Sequence, residues 1–400
     1  MKRHFGFLLS ISLFWFSQYV FVPYFTPHLA AIGVIPSMIG VIAGAYGFSQ
    51  MLLRVPLGIV ADRLRNHRLI MLLGFACLIA AGALLRVAGH PAAFLAARFL
   101  AGVSSATWVS FTVFYTGRQP ASEMGRAVGA LLVANNLGTM ASYLFGILFY
   151  ETLGMSGVFM CSIAAAALGG LALLLAAKDG RGAGQESGAI SAGELKMAAR
   201  DRGLLLYSAL AALMQLIAFA TFMSFTANYA KEIGAGGREL AFLSVVAGAA
   251  GVLGSYWMRT ARSGKIGARS QMAAAFLMIA AYCAVVPNSR SMAWIFAAQA
   301  VAGLGHAVAM ALTMARALRG VPQAARSTAM GIYQSVYGLG MTLGPVLMGA
   351  ILELAGGMAG GSAPAFYSMA AISAAGALWS AAALKESRGA DGAGRQGAAK

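Results

Sequence analysis

Charge is scarce in this sequence of 400 residues, since only 10% are Asp, Glu, Lys or Arg while 60% are hydrophobic. A soluble domain of ordinary composition has about 25% charged residues. So few charges cannot cover the surface of a soluble fold of this size, and we infer that lipid surrounds most of the chain. About 20 apolar residues cross a bilayer as a helix, so the chain has room for about a dozen such spans.

Acidic residues are the rarest charges, with 12 Asp and Glu against 29 Lys and Arg and a net charge of +17. A basic balance is also typical of nucleic-acid-binding proteins. Here the charges sit in short clusters between apolar runs, and no separate basic domain exists. The sequence therefore predicts a lipid bilayer as the partner of the chain and no nucleic acid.

Cysteine and metal-ligand patterns are also sparse. Cys77, Cys161 and Cys283 all fall in apolar runs, which favours packing residues over a disulfide framework. We find no histidine pair with metal-ligand spacing and no Glu-x-x-His pattern. Gly264-Lys265 lacks the upstream glycine of a phosphate-binding loop. We therefore expect no metal, no other cofactor, no catalytic residue and no enzyme activity.

Hydropathy predicts twelve transmembrane helices. The predicted spans are 6–27, 37–60, 68–88, 91–116, 125–150, 156–177, 203–229, 239–258, 270–287, 291–315, 327–352 and 364–384. With the N-terminus in the cytoplasm, the predicted outer loops hold only four cationic residues, which are Arg86, Lys231, Arg238 and Arg290. Arg54 and Arg98 fall within spans, and the rest of the 29 lie on the inner side. The positive-inside rule therefore predicts that both termini are cytoplasmic.

A polar stretch rich in Gly, Ser and charge divides the apolar chain near its middle. It predicts a cytoplasmic linker between two bundles of six helices. The predicted units are an N-terminal bundle at 1–177, the linker at 178–202, a C-terminal bundle at 203–384 and a cytoplasmic tail at 385–400.

The two predicted bundles resemble each other in sequence. Shifts of 201 or 202 residues superimpose several glycines and one acidic residue. The matching pairs are Gly33 with Gly234, Gly102 with Gly303, Gly129 with Gly331, Gly138 with Gly340, Glu151 with Glu353, and Gly154 with Gly356. Six spans per half give both halves the same orientation, so this is a parallel repeat. Parallel repeats are typical of transporters whose halves rock around a site near the middle of the membrane.

The loop after the second predicted span carries Gly58-x-x-x-Asp62-Arg63-x-x-x-x-Arg68. This pattern resembles the signature loop of the major facilitator superfamily, from which it departs at Arg65 and His67. The resemblance implies a cytoplasmic gate formed by Gly58, Asp62, Arg63 and Arg68. Since Gly58 and Asp62 share a helix face, we expect the glycine to allow close approach of a neighbouring helix.

Two further motifs resemble those of the twelve-helix drug:proton antiporter branch of this superfamily. One is Arg98-x-x-x-Gly102 in the fourth predicted span, and the other is Gly340-x-x-x-Gly344-Pro345, a hinge motif in the eleventh. The branch usually carries the second motif in its fifth helix, where this chain has no proline. The resemblance implies export of a small organic or drug-like solute, driven by the proton gradient through alternating access.

Arg54 and Arg98 are the only predicted charges deep inside spans, and no acidic residue accompanies them there. A buried arginine is costly and suggests a function. Three hypotheses follow: the arginines bind an anionic or zwitterionic substrate, Asp62 titrates, or His306 titrates, because imidazole changes charge near neutral pH. The first hypothesis leads to an alternative function, which is uptake or exchange of an anionic metabolite.

Other polar residues inside spans complete the predicted cavity. The candidates are Gln18, Arg54, Asn135, Asn136, Gln215, Asn228, Gln299, His306, Tyr333, Gln334 and Tyr337. An aromatic wall is a further possibility, formed by Trp15, Phe16, Tyr19, Phe219 and Phe222. The sequence thus predicts an all-α, multi-pass protein of the cytoplasmic membrane that moves a small solute as a monomer. A membrane-embedded enzyme or receptor is the alternative of another class, disfavoured because no soluble domain or metal-ligand pattern is present.

Overall fold

The computed structural model describes residues 2–64, 66–120, 123–177, 200–260, 263, 265–319, 321 and 326–384. This part of the chain contains helices and no strand. The α-helices are α1 (Lys2–Tyr19), α2 (Val22–Ala31), α3 (Pro36–Leu64), α4 (His67–Val87), α5 (Pro91–Ala106), α6 (Trp108–Thr116), α7 (Met124–Ala176), α8 (Arg202–Ala220), α9 (Thr226–Glu232), α10 (Gly237–Trp257), α11 (Ala268–Val285), α12 (Met292–Ala317), α13 (Arg326–Leu354) and α14 (Gly357–Ala383). A π-helical turn, Thr221–Phe225, joins α8 to α9, and a 3₁₀ turn, Val286–Asn288, follows α11.

Eleven helical segments of the described residues are long and apolar enough to cross a membrane. Three of them combine two neighbouring helices, which are α1 with α2, α5 with α6, and α8 with α9. An all-helical membrane protein is therefore confirmed. The cytoplasmic location of the termini stays a prediction. The predicted tail at 385–400 and nearly all of the predicted linker lie outside the described residues.

Helix α7 has 53 residues and folds back on itself. Its backbone leaves helical geometry at Gly154, where φ is 61° and ψ is −175°. Ser12 of α1 donates to the carbonyl oxygen of Ala134 at 2.8 Å, and the Ser17 and Ser162 hydroxyls lie 3.1 Å apart. A straight helix would separate residues 134 and 162 by about 42 Å, so the two arms form a hairpin against α1. The prediction of twelve spans requires that each arm of this hairpin crosses the membrane separately. The count of twelve therefore stays a prediction.

The backbone glycines reproduce the sequence repeat. Gly33 and Gly234 both have positive φ, at 83° and 97°, and so do Gly154 and Gly356, at 61° and 104°. These angles are strained for residues with a Cβ atom. Each pair ends a helical segment at the same place in its half, because the two members are 201 or 202 residues apart.

A second repeat pair lets helices approach each other closely. A Cβ atom on Gly138 would overlap the carbonyl oxygen of Ser12, and one on Gly340 would overlap the carbonyl oxygen of Ala212. In a bilayer such small residues allow the backbone contacts that drive helix association. Helix α7 therefore packs on α1 as α13 packs on α8.

Two contacts between the halves position the functional site. Helix α3 packs on α13, and α7 packs on α10. Along α3, Gly40 and Gly44 lie against the backbone carbonyls of Pro345 and Thr342. We call the end of the bundle that carries Lys2 and Leu384 the terminal face, and the end that carries Gly33 and Gly234 the opposite face.

Candidate functional site: a central cavity in two chambers

Two adjoining chambers lie between the halves. One has a volume of about 300 Å³ and is lined by Arg54 and Arg98; we call it the cationic chamber. The other has a volume of about 340 Å³, and none of the described residues lining it is Asp, Glu, Lys or Arg; we call it the neutral chamber. Both volumes lie in the range of small-molecule sites. The chambers share lining residues, which are Trp15, Tyr19, Val22, Asn135, Met223, Ser224 and His306.

Arg98 is a buried cation in the wall of the cationic chamber. It extends from α5, is only 8% exposed, and donates no hydrogen bond to any described residue. Its guanidinium instead lies over aromatic rings, with the carbon 4.8 Å from the ring centre of Tyr46 and 5.4 Å from that of Phe25. Cation–π contacts of this kind contribute about 2 kcal/mol when desolvated, much less than a charge loses when it leaves water. No described residue of the opposite charge pairs with it.

Arg54 lies on α3, two helical turns from Tyr46 towards the terminal face. It is also 8% exposed, but it has partners in the other half. Its Nη1 donates to the Gln334 side-chain oxygen at 2.7 Å and contacts the Tyr337 hydroxyl at 3.5 Å. Arg54 therefore ties α3 to α13, whereas the charge of Arg98 is available to a ligand.

His306 lies on α12 and lines both chambers. Its Nε2 is 2.7 Å from the Gln215 side-chain oxygen on α8. That oxygen can only accept, so Nε2 carries the hydrogen in this contact. The edge of the ring faces Phe222, with the ring centres 5.4 Å apart. His306 is thus a hydrogen-bonded wall residue in a position to meet a ligand.

The neutral chamber lies between α7 and α10. Asn135 and Asn136 line it from α7, and neither side chain makes a hydrogen bond to a described residue. Ser244 and Val252 face it from α10. The chamber therefore offers uncharged amide and hydroxyl groups on an otherwise apolar wall.

Matching contacts at the opposite face join the two halves. The Glu151 carboxylate, at the break of α7, accepts a hydrogen bond from the backbone N–H of Gly237 at 2.7 Å. The Glu353 carboxylate, at the end of α13, accepts one from the backbone N–H of Ser37 at 3.1 Å. Gly237 and Ser37 begin α10 and α3, and a carboxylate is favourable at a helix N-terminus. We call these two contacts the glutamate latches.

The architecture and the sequence agree with one family. The family model of the Major Facilitator Superfamily matches residues 7–265 and 208–399. The chain belongs to the Major Facilitator Superfamily. Members of this superfamily are membrane transporters rather than enzymes. An uncharacterised MFS-type transporter of Schizosaccharomyces pombe (strain 972 / ATCC 24843) is 27% identical over 128 residues, a match that covers 31% of this chain and only 29% of the yeast protein.

Solved superfamily structures share the fold. The nucleoside transporter NupG superposes with a TM-score of 0.78 at 14% identity, covering 95% of this chain and 98% of the other. A bacterial homolog of the human lysosomal transporter Spinster, inward-facing and unoccupied, gives 0.73 at 17% identity and covers 95% and 96% of the two chains. A POT family transporter in complex with 5-aminolevulinic acid gives 0.71 at 12% identity and covers 96% of each chain. At these identities the likeness shows the fold alone.

In this superfamily member, most of the predicted cavity residues line the chambers. These are Gln18, Arg54, Asn135, Asn136, Gln215, His306, Gln334 and Tyr337. Of the predicted aromatic wall, Trp15, Tyr19, Phe219 and Phe222 line a chamber. Phe16 packs edge-on against Phe145 instead, with ring centres 5.5 Å apart.

Three predicted cavity residues form bonds between helices and line neither chamber. The Asn228 amide donates to the carbonyl oxygen of Thr26 at 3.2 Å. The Gln299 amide donates to that of Phe222 at 3.3 Å. The hydroxyl of Tyr333 lies 2.9 Å from that of Thr313. They lie outside both chambers in this conformation, because hydropathy does not determine which way a helix is rotated about its axis.

The gate motif differs from its prediction at Gly58. The closest atom to a Cβ placed there would be Cγ1 of Val109, at 3.9 Å, so the close helix approach that we expected is absent from this conformation. Arg63 is exposed, and Arg68 donates to the carbonyl oxygen of Leu174 at 3.0 Å. The Asp62 side chain lies outside the described residues, so its role at a gate stays a prediction.

The glycines of the two other motifs serve packing. A Cβ on Gly102, one turn after Arg98, would overlap the carbonyl oxygen of Tyr46, and one on Gly344 would overlap that of Leu216. Helix α13 continues through Pro345 without a break. The Gly340-x-x-x-Gly344-Pro345 motif therefore allows close helix packing in this conformation, and its role as a hinge stays a prediction.

Sequence reasoning missed several chamber residues. Tyr46 and Trp108 line the cationic chamber, and Tyr143 lines the neutral one. The Tyr46 hydroxyl donates to Ser105 Oγ at 3.0 Å, and Gln50 donates to the same oxygen at 2.7 Å. The spacing of Tyr46, Gln50 and Arg54, each four residues after the last, was the available signal, because such residues share one helix face.

Proposed function

We propose that this superfamily member transports a small organic anion by alternating access and moves it together with a proton. The observation that carries the proposal is the buried guanidinium of Arg98, which lies in the cavity wall without a hydrogen-bond acceptor. A bound carboxylate would supply the missing charge and the missing acceptor. Arginine suits this task because its fork of donors matches a carboxylate.

The proposed proton site is His306. It lines the same chamber as Arg98, and no Asp or Glu is among the described residues that line either chamber. A bound anion close to the imidazole would favour its protonated, charged form. By linkage, the proton then favours anion binding to the same degree. Because the proton and the anion favour each other's binding, they cross the membrane together. An inward proton gradient would therefore drive uptake of the anion.

Proton-coupled export is the second candidate. It is favoured by the Arg98-x-x-x-Gly102 motif, which resembles one of the drug:proton antiporter branch. Gly102 lies one turn after Arg98 and packs against the backbone of α3. Export by exchange requires that the proton and the solute displace each other, so Asp62 or His306 would release its proton when the solute binds. For either direction, we propose a monomer in the cytoplasmic membrane.

The test uses the full-length protein in liposomes, with labelled acetate, butyrate, hexanoate and octanoate and the alkylamines of equal length as probes. Transport of at least one acid, and of no amine, is expected. Arg98→Gln is expected to lower it at least about thirtyfold, because truncating one partner of a buried charged pair costs about 2–5 kcal/mol. Arg98→Lys, which keeps the charge, is the matched control and is expected to retain part of the activity.

Direction follows from an imposed pH gradient. The probe here is butanesulfonate, which, unlike the carboxylic acids, does not cross a bilayer in a neutral form. Its accumulation on the alkaline side of the membrane, beyond that in protein-free liposomes, supports movement with protons. Depletion from that side supports export by exchange. Equal transport of acids and amines, or equal activity of wild type and Arg98→Gln, would overturn the anion proposal.

A further inference from the structure

We infer that the substrate is a monoanion whose far end is uncharged and largely apolar, with the acid group at Arg98 and the far end in the neutral chamber. The inference rests on the proposed function and adds the shape and charge distribution of the substrate. It follows from the contrast between the chambers and from the wall that they share.

Among the described residues that line the chambers, Arg occurs only in the cationic chamber, and Asp, Glu and Lys occur in neither. The cationic chamber holds two arginines, and only one of them, Arg98, is without a hydrogen-bond acceptor. The Arg98 guanidinium lies over the Tyr46 ring, and Arg54 extends from α3 eight residues after Tyr46, about 12 Å along that helix, to reach Gln334 on α13. One compact acid group at Arg98 therefore does not displace the Arg54–Gln334 contact. Of the two arginines, only Arg98 is free to pair with a ligand, so the arginines fit a single negative charge at this end of the substrate.

The shared wall allows one molecule to occupy both chambers. Trp15 and Tyr19 line both, and their rings lie with centres 5.7 Å apart at an angle of 26°. Trp108 lies edge-on to Trp15, with centres 5.4 Å apart, on the cationic side. Rings of this kind cover the apolar stem of a ligand where it passes from one chamber to the other.

The neutral chamber would exclude a second charge. Its described lining has no Asp, Glu, Lys or Arg to pair with an ammonium or carboxylate group, and His306 lies on the wall that it shares with the cationic chamber. A charge that leaves water without a partner is strongly unfavourable. Its free amides, Asn135 and Asn136, are able to hydrogen-bond an uncharged polar group. An apolar stem in this chamber gains about fourfold in affinity for each buried methylene group, from about 0.8 kcal/mol per methylene.

The test measures binding to the purified full-length protein by titration calorimetry. The probes are acetate, butyrate, hexanoate and octanoate, followed by octanedioate and 8-aminooctanoate, which have the length of octanoate and a second charge at the far end. We expect affinity to rise about fourfold per methylene along the series. We expect both doubly charged probes to bind at least about tenfold more weakly than octanoate.

A matched pair of variants on α10 locates the far end. Ser244 is half-buried and faces the neutral chamber, so Ser244→Phe fills it. Leu253, on the same helix, is 63% exposed and lines neither chamber, so Leu253→Phe adds a similar ring outside the cavity. Ser244→Phe is expected to weaken octanoate binding at least about tenfold and to leave acetate binding unchanged. Leu253→Phe is expected to leave both unchanged.

Different results overturn different parts of the argument. Affinity that is flat along the series, or equal binding of octanoate and octanedioate, overturns the inference. If Arg98→Gln still abolishes binding in that case, the anion proposal stands. If no acid binds to the wild-type protein, both fall. If Ser244→Phe does not fold, the series on the wild-type protein decides the question by itself.

Discussion

The sequence repeat gives matching contacts at the opposite face but different contacts in the central cavity. At the opposite face the halves are alike: Glu151 accepts from the N-terminus of α10, and its repeat partner Glu353 accepts from the N-terminus of α3. In the cavity they differ: Arg98 is a free charge in the chamber wall, while its repeat partner Gln299 is 1% exposed and bonds between helices. Helix ends and close packing impose the same requirements in both halves, whereas binding one asymmetric solute does not.

The contrast between Arg98 and Gln299 gives the largest expected effect. Arg98→Gln makes the two positions identical and is expected to weaken anion binding at least about thirtyfold. Gln299→Leu is expected to lower the midpoint of thermal unfolding slightly and to leave anion binding unchanged, because it removes one bond to the Phe222 carbonyl. Calorimetric titration and thermal unfolding of the same preparations measure both. A comparable loss of binding in Gln299→Leu would contradict the asymmetry.

The paired glycines give the next effect and test the symmetry of packing. Gly138→Ala and Gly340→Ala each place a methyl group on a backbone carbonyl of a neighbouring helix, so each is expected to destabilise the fold by about 1–3 kcal/mol. Gly129→Ala is the control, since no atom lies within 4 Å of the added Cβ, and it is expected to be neutral or stabilising by up to about 1 kcal/mol. Thermal unfolding in detergent measures all three. A large difference between Gly138→Ala and Gly340→Ala would show that packing is not symmetric.

The glutamate latches give a smaller effect. Glu151→Ala or Glu353→Ala removes an acceptor at a helix N-terminus, worth about 1 kcal/mol, and is expected to raise the open fraction at this face about fivefold. The corresponding Gln variants keep an oxygen acceptor and lose only the charge, so about 0.3–1 kcal/mol is expected. In intact cells, alkylation of Ala227→Cys by an impermeant maleimide measures opening, in a background without Cys77, Cys161 and Cys283. Unchanged rates in both Ala variants would refute the latch role.

The proton site gives the smallest expected effect. If His306 binds the proton, anion affinity rises as the pH falls, because the protonated ring and the anion attract each other. The rise is expected to be at most about tenfold in the wild type and absent in His306→Gln. Asp62→Asn is expected to retain it. A pH-dependent rise that persists in His306→Gln and disappears in Asp62→Asn would transfer the role to the gate.

The sequence alone was sufficient for properties that depend on local composition. Apolar runs set the positions of the spans, because about 20 such residues are needed to cross a bilayer. The paired glycines predicted the repeat, and Gly33 with Gly234 and Gly154 with Gly356 have matching positive φ angles. The absence of acidic residues near Arg98 was also evident, since it depends only on which residues the spans contain.

Tertiary structure decided which side chains meet. It turned Asn228, Gln299 and Tyr333 away from the cavity and brought Tyr46 and Trp108 into it. It paired Arg54 with Gln334 across 280 positions of sequence and left Arg98 without an acceptor. Hydropathy is nearly the same all round a buried helix, so its rotation is set by packing against its neighbours, and that rotation determines which polar groups face the solute.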